Sequence, residues 1–597
     1  MRAALARHRD AWIAAAGLAM AALLALGPLE AREAGLHVGG LLVSLPELLS
    51  AFAVSVAAVA ALAAYTPPAD LRQHRARLLV PAAFALWAAV ALCSVVWAPA
   101  DRGHVFKYGL RVTGGALLAI SAFWLAPHVA FRRRFTVGVV ASLAILTLLG
   151  TAERLLGRSF EPFLKLFRDE PTWMLGEQRL TTVFYHANTC AAFFELTAPF
   201  LLLAAAARGQ KPLRRALLLA WLLAVAVLLS LTYSRAGLLA GMAGAVLLAY
   251  AARAVRDRRA LLVVAIAYAV CVAGAYGANP DMRHRIGLTE RSYRATYKAK
   301  TPCIGHAGQP LSLQIAVRNR GEWALSNRQA PGSLLTTLLT PEGRRVGDWH
   351  QTPLPDMPRG AKLAVNVGLS LPRRPGKYLL AVDVARDEVL RISALGNPMA
   401  YLKCLVAPPG ADLARLRPPS LAGDRPLDAS EVAAVRRLEL ERKHYWWAAW
   451  QLIQEHPLLG LGADRFRLEY QRFVPAEAYD PRARAHSIVV ETAVDLGVPG
   501  LLALLFLATV LLGSAWVAIR RGWRCHGDAA PGGDGPILAA AAGLCGFLVH
   551  SQVDYFLGYT QIAILFWPMA GLLSGAVWNT AHAAPGATSN GERSDQP

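Results

Sequence analysis

The sequence predicts a polytopic α-helical membrane protein of about twelve transmembrane helices, with an inserted all-β sandwich domain. Of its 597 residues, 55% are hydrophobic and 17% are charged, and the mean hydropathy is +0.35. These values are too apolar for an ordinary soluble domain. Long apolar runs alternate with short basic connections, and one stretch of about 100 residues changes to short alternating runs. Together these three observations predict the fold class.

The long apolar runs have the length of membrane-spanning helices. A helix rises 1.5 Å per residue, so about 20 residues cross a hydrocarbon core of about 30 Å. The first run follows three arginines, as in a signal peptide, but it lacks a small-residue cleavage site and many spans follow, so we interpret it as a retained helix. The twelve runs are 11–29, 36–65, 78–99, 105–126, 135–152, 187–207, 213–232, 236–252, 260–277, 486–519, 536–556 and 560–580.

Basic clusters predict the orientation in the membrane. They lie near residues 75, 133, 211, 256 and 522, in alternate connections on the side of the N-terminus. Because Lys and Arg accumulate in cytoplasmic loops, both termini are expected in the cytoplasm and the segment from about 278 to 485 is expected outside it. These topology signals account for the net charge of +22 better than a nucleic-acid-binding surface does.

The large outer segment is predicted to begin with the β-sandwich. Runs such as KLAVNVGLSL and KYLLAVDVA alternate with period two between turns rich in Gly and Pro. Trp323, Trp349 and Tyr378 offer stacking faces for a carbohydrate, although core packing is the commoner use of such residues. Cys303 and Cys404 bracket the domain, and the ends of an inserted domain tend to lie close together, so we expect a disulfide between them.

The rest of the predicted organisation follows from these boundaries. After a Pro-rich linker, LDASEVAAVRRLELERKHYWWAAWQLIQEHP predicts a helix that leads back to the membrane. The predicted parts are transmembrane helices 1–9 in residues 1–280, the periplasmic β-sandwich in 300–407, a periplasmic helical segment in 408–485, transmembrane helices 10–12 in 486–580, and a disordered cytoplasmic tail in 581–597.

Several basic residues break the positive-inside pattern at the predicted outer ends of the helices. Lys107 and Arg111 lie one helical turn apart where the fourth run begins, and Arg179 precedes the sixth. Arg235, in LTYSRAG, separates the seventh and eighth runs with almost no loop. Guanidinium groups suit a diphosphate because they are permanently charged and donate bidentate hydrogen bonds. Snorkelling to the membrane surface is the alternative interpretation for Lys107 and Arg111.

His486 stands where a long polar segment meets an apolar run, between HPLLGLG and VVETAVDLGVPG. An ionisable side chain at the mouth of a membrane helix is costly without a role. An imidazole titrates near pH ~6.5, so it is largely neutral at working pH and suits a general base. His550 and Asp554, spaced by four, are expected to share a helix face, with structural pairing an equal alternative to catalysis. The supporting polar residues predicted for this face are His186, Asn188, Arg442, His550 and Asp554.

Two of these segments resemble a known family. HPLLGLG with AHSIVVETAVDLGVPGLLALL resembles the C-terminal signature of the O-antigen ligase and polymerase superfamily, and TYSRAG resembles its threonine-x-serine-arginine-glycine element, with Ala236 in place of the usual glycine. The resemblance covers the membrane portion and not the sandwich. It implies an inner-membrane glycosyltransferase that moves a glycan from polyprenyl diphosphate to a lipid A core sugar hydroxyl on the periplasmic face, without a metal or other cofactor.

The same resemblance implies roles for the candidate residues. His486 is expected to be the general base, and Arg235 and Arg179, assisted by Lys107 or Arg111, are expected to hold the diphosphate. Polymerisation of repeat units and transfer to a protein hydroxyl remain open, because they use the same chemistry with other acceptors. A polysaccharide transporter or flippase is the non-enzymatic alternative, but it predicts basic residues near the bilayer midplane. No HExxH, paired CxxC or DxD cluster occurs on the outer side, which disfavours a metal-dependent transferase.

Overall fold

The structure is a computed structural model. It describes residues 8–31, 35–38, 41–64, 71–168, 173–174, 177–207, 210–251, 258–278, 293–326, 331–340, 345–386, 390–395, 397, 399–416, 442–473, 480, 482–520 and 535–579. The first part of the predicted helix over 427–457, up to residue 441, falls outside this set, and so does the predicted tail at 581–597.

Among the described residues, twelve long helices coincide with the twelve apolar runs, and a thirteenth, α10, lies in the outer segment. They are α1 (Arg9–Leu26), α2 (Leu45–Ala64), α3 (Leu71–Cys93), α4 (Arg102–Leu125), α5 (Val129–Leu156), α6 (Ala187–Ala206), α7 (Pro212–Leu231), α8 (Arg235–Ala251), α9 (Arg258–Ala278), α10 (Arg442–Glu455), α11 (Ile488–Arg520), α12 (Gly535–His550) and α13 (Thr560–Asn579). Short helical turns lie at Gly157–Ser159, Glu161–Leu164, Ile392–Leu395, Leu413–Arg415, Phe466–Glu469 and Tyr470–Phe473.

Length and composition make this a multi-pass membrane protein. Within the described part of the chain, nine helices are long and apolar enough to cross a membrane. Three shorter apolar helices, α3, α8 and α12, account for the remaining runs, so twelve spans stays a prediction. Helices α6 and α13 are buried on nearly all sides, as expected for apolar helices at the centre of a bundle.

Small residues allow the central helices to approach closely. Gly571 and Gly575 of α13, spaced by four, lie against the backbone of α4 at Ala119 and Phe123. A side chain at either glycine would overlap that backbone. Such pairs of small residues are the usual means of tight helix packing in membranes, where lipid removes most of the hydrophobic driving force.

The connections between helices gather at one end of the bundle. One cavity at this end is lined by residues from the α1–α2, α5–α6 and α12–α13 connections, from the first turns of α4 and from the segment before α11. The α7–α8 turn joins them, because Leu180 N–H donates to Leu231 O at 2.9 Å. These alternate connections are the ones that the positive-inside pattern predicts on the outer side.

The two halves of the HPLLGLG and AVDLGVPG signature are hydrogen-bonded to each other. Leu461 N–H donates to Val494 O at 2.9 Å, and Val498 N–H donates to Leu458 O at 2.9 Å. Gly497 has φ of +59°, and a Cβ there would overlap the Leu458 backbone. The glycine spacing therefore serves a close approach of two backbone segments, which a larger residue would prevent.

The outer segment contains two β-sheets with a common core. The strands are β5 (Ala295–Ala299), β6 (Cys303–His306), β7 (Pro310–Asn319), β8 (Gly332–Leu339), β9 (Arg345–Leu354), β10 (Lys362–Ser370), β11 (Gly376–Arg386), β12 (Leu390–Arg391) and β13 (Ala400–Ala407). They follow two short hairpins, β1 (Gly35–Val38) with β2 (Leu41–Ser44) and β3 (Trp173–Met174) with β4 (Glu177–Gln178).

The larger sheet has the order β6-β13-β11-β8-β9, with β12 beside β11, and the smaller sheet has the order β10-β7-β5. All neighbouring strands are antiparallel except β13 and β6. Inward residues of both sheets, such as Leu313, Val367 and Leu380, share one buried cluster, which is the packing of a β-sandwich.

Cys303 and Cys404 are directly paired residues of β6 and β13 and form a disulfide, with Cα atoms 4.6 Å apart. Trp323 packs edge-on against Tyr293 at 5.0 Å between ring centroids, and Tyr378 packs against the same core. Trp349 lies with Leu339 and Leu379 in a second, smaller cluster. Two of the three aromatic residues considered for carbohydrate stacking are thus used in core packing.

Candidate active site

His486 lies two residues before α11 in a left-handed backbone conformation, with φ of +51°. Its Nδ1 is 3.1 Å from Asp554 Oδ1. A carboxylate can only accept, so this contact favours the tautomer with the proton on Nδ1 and a lone pair on Nε2. Nε2 has no hydrogen bond to a described residue, and the side chain is 23% exposed. The ring is therefore oriented with its basic nitrogen available to a substrate.

Asp554 is held from several directions. Asn188 Nδ2 donates to its Oδ2 at 2.7 Å, and its own neighbour Tyr555 donates a backbone N–H to Oδ1 at 2.9 Å. Burial raises the pKa of Asp554, but the hydrogen bond from His486 and the nearby charges of the histidines more than offset it, so this pKa lies well below its usual range. Asp554 is therefore an ionised acceptor at neutral pH.

The hydrogen-bonded chain continues from Asp554 to the TYSRAG segment. Arg179 Nη2 donates to Asn188 Oδ1 at 2.8 Å, and Arg179 Nε donates to Thr232 O at 2.8 Å. Asn188 lies in the first turn of α6, and Thr232 follows α7 directly. Three segments that were predicted separately from the sequence thus form one polar network, and this network orients His486.

A cavity of about 530 Å³ lies next to this network, although neither His486 nor Asp554 is among its lining residues. Its walls are strongly basic. Arg484, two residues before His486, is one of the lining residues, and so are Tyr185, which precedes His186, and Tyr559, which follows Asp554. The basic lining residues are His104, Lys107, Arg111, Arg467, Arg482 and Arg484, and the acidic ones are Glu30 and Asp464.

Asp464 holds part of this basic wall in place. It forms an ion pair with Arg484, and its Oδ2 accepts from Arg467 Nε at 3.0 Å and lies 2.6 Å from His104 Nε2. Burial raises the pKa of Asp464, but the charge of Arg484 and the His104 and Arg467 contacts lower it well below its usual range. An ionised Asp464 therefore stays within the cavity wall at neutral pH.

A second, mostly apolar cavity continues from the basic one. It also measures about 530 Å³ and shares Lys107, Tyr108 and Arg111 with its neighbour. Helices α2, α4 and α13 provide its walls, including Val54, Leu118 and other apolar side chains. The combined space suits an amphipathic ligand with an anionic head and a hydrocarbon tail.

The structure separates the predicted diphosphate ligands into two groups. Lys107 and Arg111 line both cavities, and Arg111 also forms an ion pair with Glu47 at 2.5 Å. Arg179 is buried and its guanidinium is used by Asn188 and Thr232, so its placement supports an orienting role rather than direct contact with a ligand. Arg235 begins α8, is exposed, and does not line the basic cavity.

The expectation that His550 and Asp554 share a helix face is wrong. Helix α12 ends at His550, so Asp554 lies in the following connection and faces His486 instead. His550 Nδ1 lies 2.8 Å from Glu195 Oε1 in α6, and both side chains are fully buried. This pair ties α12 to α6, and it was missed because a buried glutamate in an apolar run has no local signature.

Two other residues of the predicted supporting set, His186 and Arg442, lie at the starts of helices. His186 precedes α6, and its Nδ1 accepts from Asn188 N–H at 3.2 Å, which caps the helix. Arg442 begins α10, and its side chain lies outside the described part of the structure. The residues predicted from the sequence did not include His104, Asp464 or Arg484. Asp464 and Arg484 nevertheless lie within or beside the signature, in GADRF and RARAH.

Residues 423–505 match the family model described as O-Antigen ligase. This part of the chain is similar to O-antigen ligases. The resemblance predicted from the two signature segments is confirmed, and the match supports a membrane glycosyltransferase of the ligase or polymerase type. The matched residues include His486, Arg484 and Asp464, whereas Asp554, Asn188 and Lys107 lie outside them.

Other comparisons add nothing to this assignment. No curated protein matches the chain. Among solved structures, Pseudomonas fluorescens alkylpurine DNA glycosylase AlkC bound to DNA containing an abasic site analog is 10% identical, over 57% of this chain and 100% of that chain, with a TM-score of 0.15. A likeness this weak carries no information about fold or function.

Proposed function

We propose that this protein transfers a glycan from a polyprenyl diphosphate donor to a hydroxyl of a lipid A core sugar, at the outer face of the bacterial inner membrane. The observation that carries the proposal is the His486–Asp554 pair beside a basic cavity that continues into an apolar one. The His486–Asp554 pair supplies a base, and the two joined cavities fit a lipid-linked diphosphate.

The donor fits the two cavities in one orientation. The apolar cavity between α2, α4 and α13 receives the first part of the hydrocarbon tail, and the basic cavity receives the diphosphate. Lys107 and Arg111 lie where the two meet, and the guanidinium groups of Arg467, Arg482 and Arg484 line the far side. This order of apolar and cationic groups matches the order of tail and phosphates in the donor.

His486 acts as the general base in the proposed reaction. Its Nε2 accepts the proton of the acceptor hydroxyl while that oxygen attacks the anomeric carbon of the donor glycan. The bond from the anomeric carbon to the phosphate oxygen breaks, and polyprenyl diphosphate leaves with the bonding electrons. Ionised Asp554 holds the ring in the required tautomer and stabilises the imidazolium that forms, as Asn188 and Arg179 hold Asp554.

The cations stabilise the charge that develops on the leaving group. Lys107 and Arg111 are supplied by α4, and Arg484 is fixed by Asp464 and by Glu491 Oε1 at 3.2 Å. Among the residues that the structure describes, no group of three or more His, Cys, Asp and Glu side chains is arranged to hold a metal ion. The proposed assignments therefore use the protein cations for this role.

Two other acceptors fit the same chemistry. Polymerisation of repeat units and transfer to a protein hydroxyl need the same base and the same donor site, so they are the alternatives in that order. A transporter or flippase is less well supported, because the described cations of the cavity lie at one end of the bundle rather than along a path through it.

A deletion strain separates these functions. We expect surface polysaccharide to be lost from lipid A when the gene is deleted, and to return with the wild-type protein but not with His486→Ala expressed at the same level. Polysaccharide shortened to one repeat would identify the polymerase, and loss of a glycoprotein alone would identify the protein transferase. Full complementation by His486→Ala would reject the general-base mechanism.

A further inference from the structure

The cavity contains a histidine that the proposed mechanism does not use. His104 lies in the first turn of α4, three residues before Lys107 and seven before Arg111. Residues with this spacing share one helix face, and all three line the basic cavity. His104 thus extends the cationic face of α4 by one turn beyond the two residues expected to meet the donor.

The contacts of His104 fix which of its nitrogens faces the cavity. Nε2 lies 2.6 Å from Asp464 Oδ2, and this short contact to an acceptor places a proton on Nε2. Arg467 Nη2, which can only donate, lies 3.0 Å from the same nitrogen. Asp464 Oδ2 is the closer partner, so we assign the Nε2 proton to the contact with Asp464. Nδ1 has no hydrogen bond to a described residue, and the side chain is 30% exposed. The unoccupied nitrogen therefore changes from an acceptor to a donor when the ring is protonated.

This change determines how His104 interacts with an anion. In the neutral ring, the Nδ1 lone pair repels a phosphate oxygen. In the imidazolium, Nδ1–H donates a charge-assisted hydrogen bond, and Asp464 accepts from the other nitrogen. We propose that His104 is a third ligand of the donor diphosphate on α4, which binds the diphosphate only in its protonated form. The inference rests on the proposed donor and adds a residue and a pH dependence to it.

The other charged groups around His104 respond differently to pH. The pKa of Asp464 lies well below its usual range, mainly because Arg484 and His104 offset its burial. Burial raises the pKa of Glu30 from its usual value, so Glu30 is tested beside His104. The remaining ionisable groups on the cavity walls are Lys107, Tyr108, Arg111, Tyr185, Arg467, Arg482, Arg484 and Tyr559, and Asp101 lies just before α4.

Binding of farnesyl diphosphate to the full-length protein in nanodiscs tests the inference. We expect the dissociation constant to rise about tenfold between pH 6 and pH 8, which is the contribution of one hydrogen bond to a charged group. A terminal phosphate gains negative charge over this range, which favours tighter binding at high pH, so a weakening must come from the protein.

Four variants identify the group whose charge causes the pH dependence. His104→Gln is expected to bind about tenfold more weakly at pH 6 and to lose the pH step, whereas His104→Lys keeps tight binding at both pH values. Glu30→Gln is expected to keep the step. His306→Gln, in β6, makes the same chemical change outside the cavity and should behave as wild type.

The outcomes are distinguishable. A pH step that persists in His104→Gln, or disappears in Glu30→Gln, overturns the role of His104 and leaves the proposed donor intact. No binding of farnesyl diphosphate by the wild-type protein at any pH overturns the donor itself. In turnover, His104→Gln should raise the donor KM, and an unchanged KM would overturn the role of His104 as a ligand of the donor.

Discussion

His486 and Asp554 are 68 residues apart in the chain and are joined by a 3.1 Å hydrogen bond between Nδ1 and Oδ1. The pair connects the segment before α11 with the connection that follows α12. Because Asp554 also accepts from Asn188, the base is oriented by residues from three separate parts of the chain.

The pH dependence of Asp554→Asn tests this relationship. The depressed pKa of Asp554 means that its ionised form is favoured above its unfolded pKa and is lost only when the pH falls through the lower folded value. Asp554 therefore stays charged from pH 5 to 8, and the acid limb of kcat reports the base. We expect Asp554→Asn to lower kcat by about 10- to 100-fold and to move the acid limb to lower pH, because the imidazolium loses a negative neighbour. An unshifted limb contradicts the pairing.

Arg179 and Arg235 are expected to respond differently to the same change. Arg179 is buried and donates to Asn188 and Thr232, so Arg179→Gln should lower the melting temperature as well as activity. Arg235 is exposed at the start of α8 and does not line the basic cavity, so Arg235→Gln should leave the melting temperature unchanged. Thermal unfolding in detergent, measured beside activity, checks both. Equal melting losses for the two arginines would contradict this division.

Gly497→Ala is expected to damage folding. Its φ of +59° and its contact with the Leu458 backbone leave no space for a Cβ, so the cost is about 2 kcal/mol or more. Gly513→Ala, in the same helix, is the matched control, because no atom lies within 4 Å of a Cβ there. The measurement is the yield of monodisperse protein and its melting temperature. A Gly497→Ala protein as stable as the control would mean that the signature halves are not in close contact.

The Cys303–Cys404 disulfide is expected to stabilise the β-sandwich. It closes a loop with a sequence separation of 101, and loops of about 100 residues gain about 4.7 kcal/mol in the chain-entropy model. Cys303→Ser should make the domain sensitive to protease, whereas Cys93→Ser, at a free cysteine, should not. Peptide mapping of the unreduced protein is the direct check. Alkylatable thiols at both positions in exported protein would exclude the bond.

The orientation in the membrane is a separate prediction. Single cysteines introduced near 320, 440 and 485 should react with an impermeant reagent from outside, and cysteines near 75, 133, 256 and 522 should react only after the membrane is opened. Cytoplasmic labelling near 485 would place His486 on the wrong side for an exported glycan.

Sequence patterns predicted the helices well because apolar length is a local property. They also identified His486, whose position at the start of a helix is visible in one segment. They could not identify its partner, because contacts between helices depend on their order in the bundle. No glycine or proline follows His550 in HSQVDYF, so nothing local indicated that α12 ends there and that Asp554 turns toward His486.

The dependence on contacts between helices also explains why the sequence did not separate the roles of the basic residues. The positive-inside rule assigns a residue to one side of the membrane, but it does not show whether the side chain points into the protein or into a cavity. Arg179 and Lys107 were therefore equivalent in the sequence, and only the Asn188 and Thr232 contacts separate them.

The direct pairing of β6 with β13 has a consequence for how this chain is assembled. The strand near the beginning of the sandwich and the strand at its end are neighbours, so the domain occupies the position of a short loop between α9 and the segment that leads to α10. We therefore expect that a short flexible linker can replace the sandwich while the helices keep their positions, which would make this domain a site for exchange between related transferases and for fusion of a reporter domain.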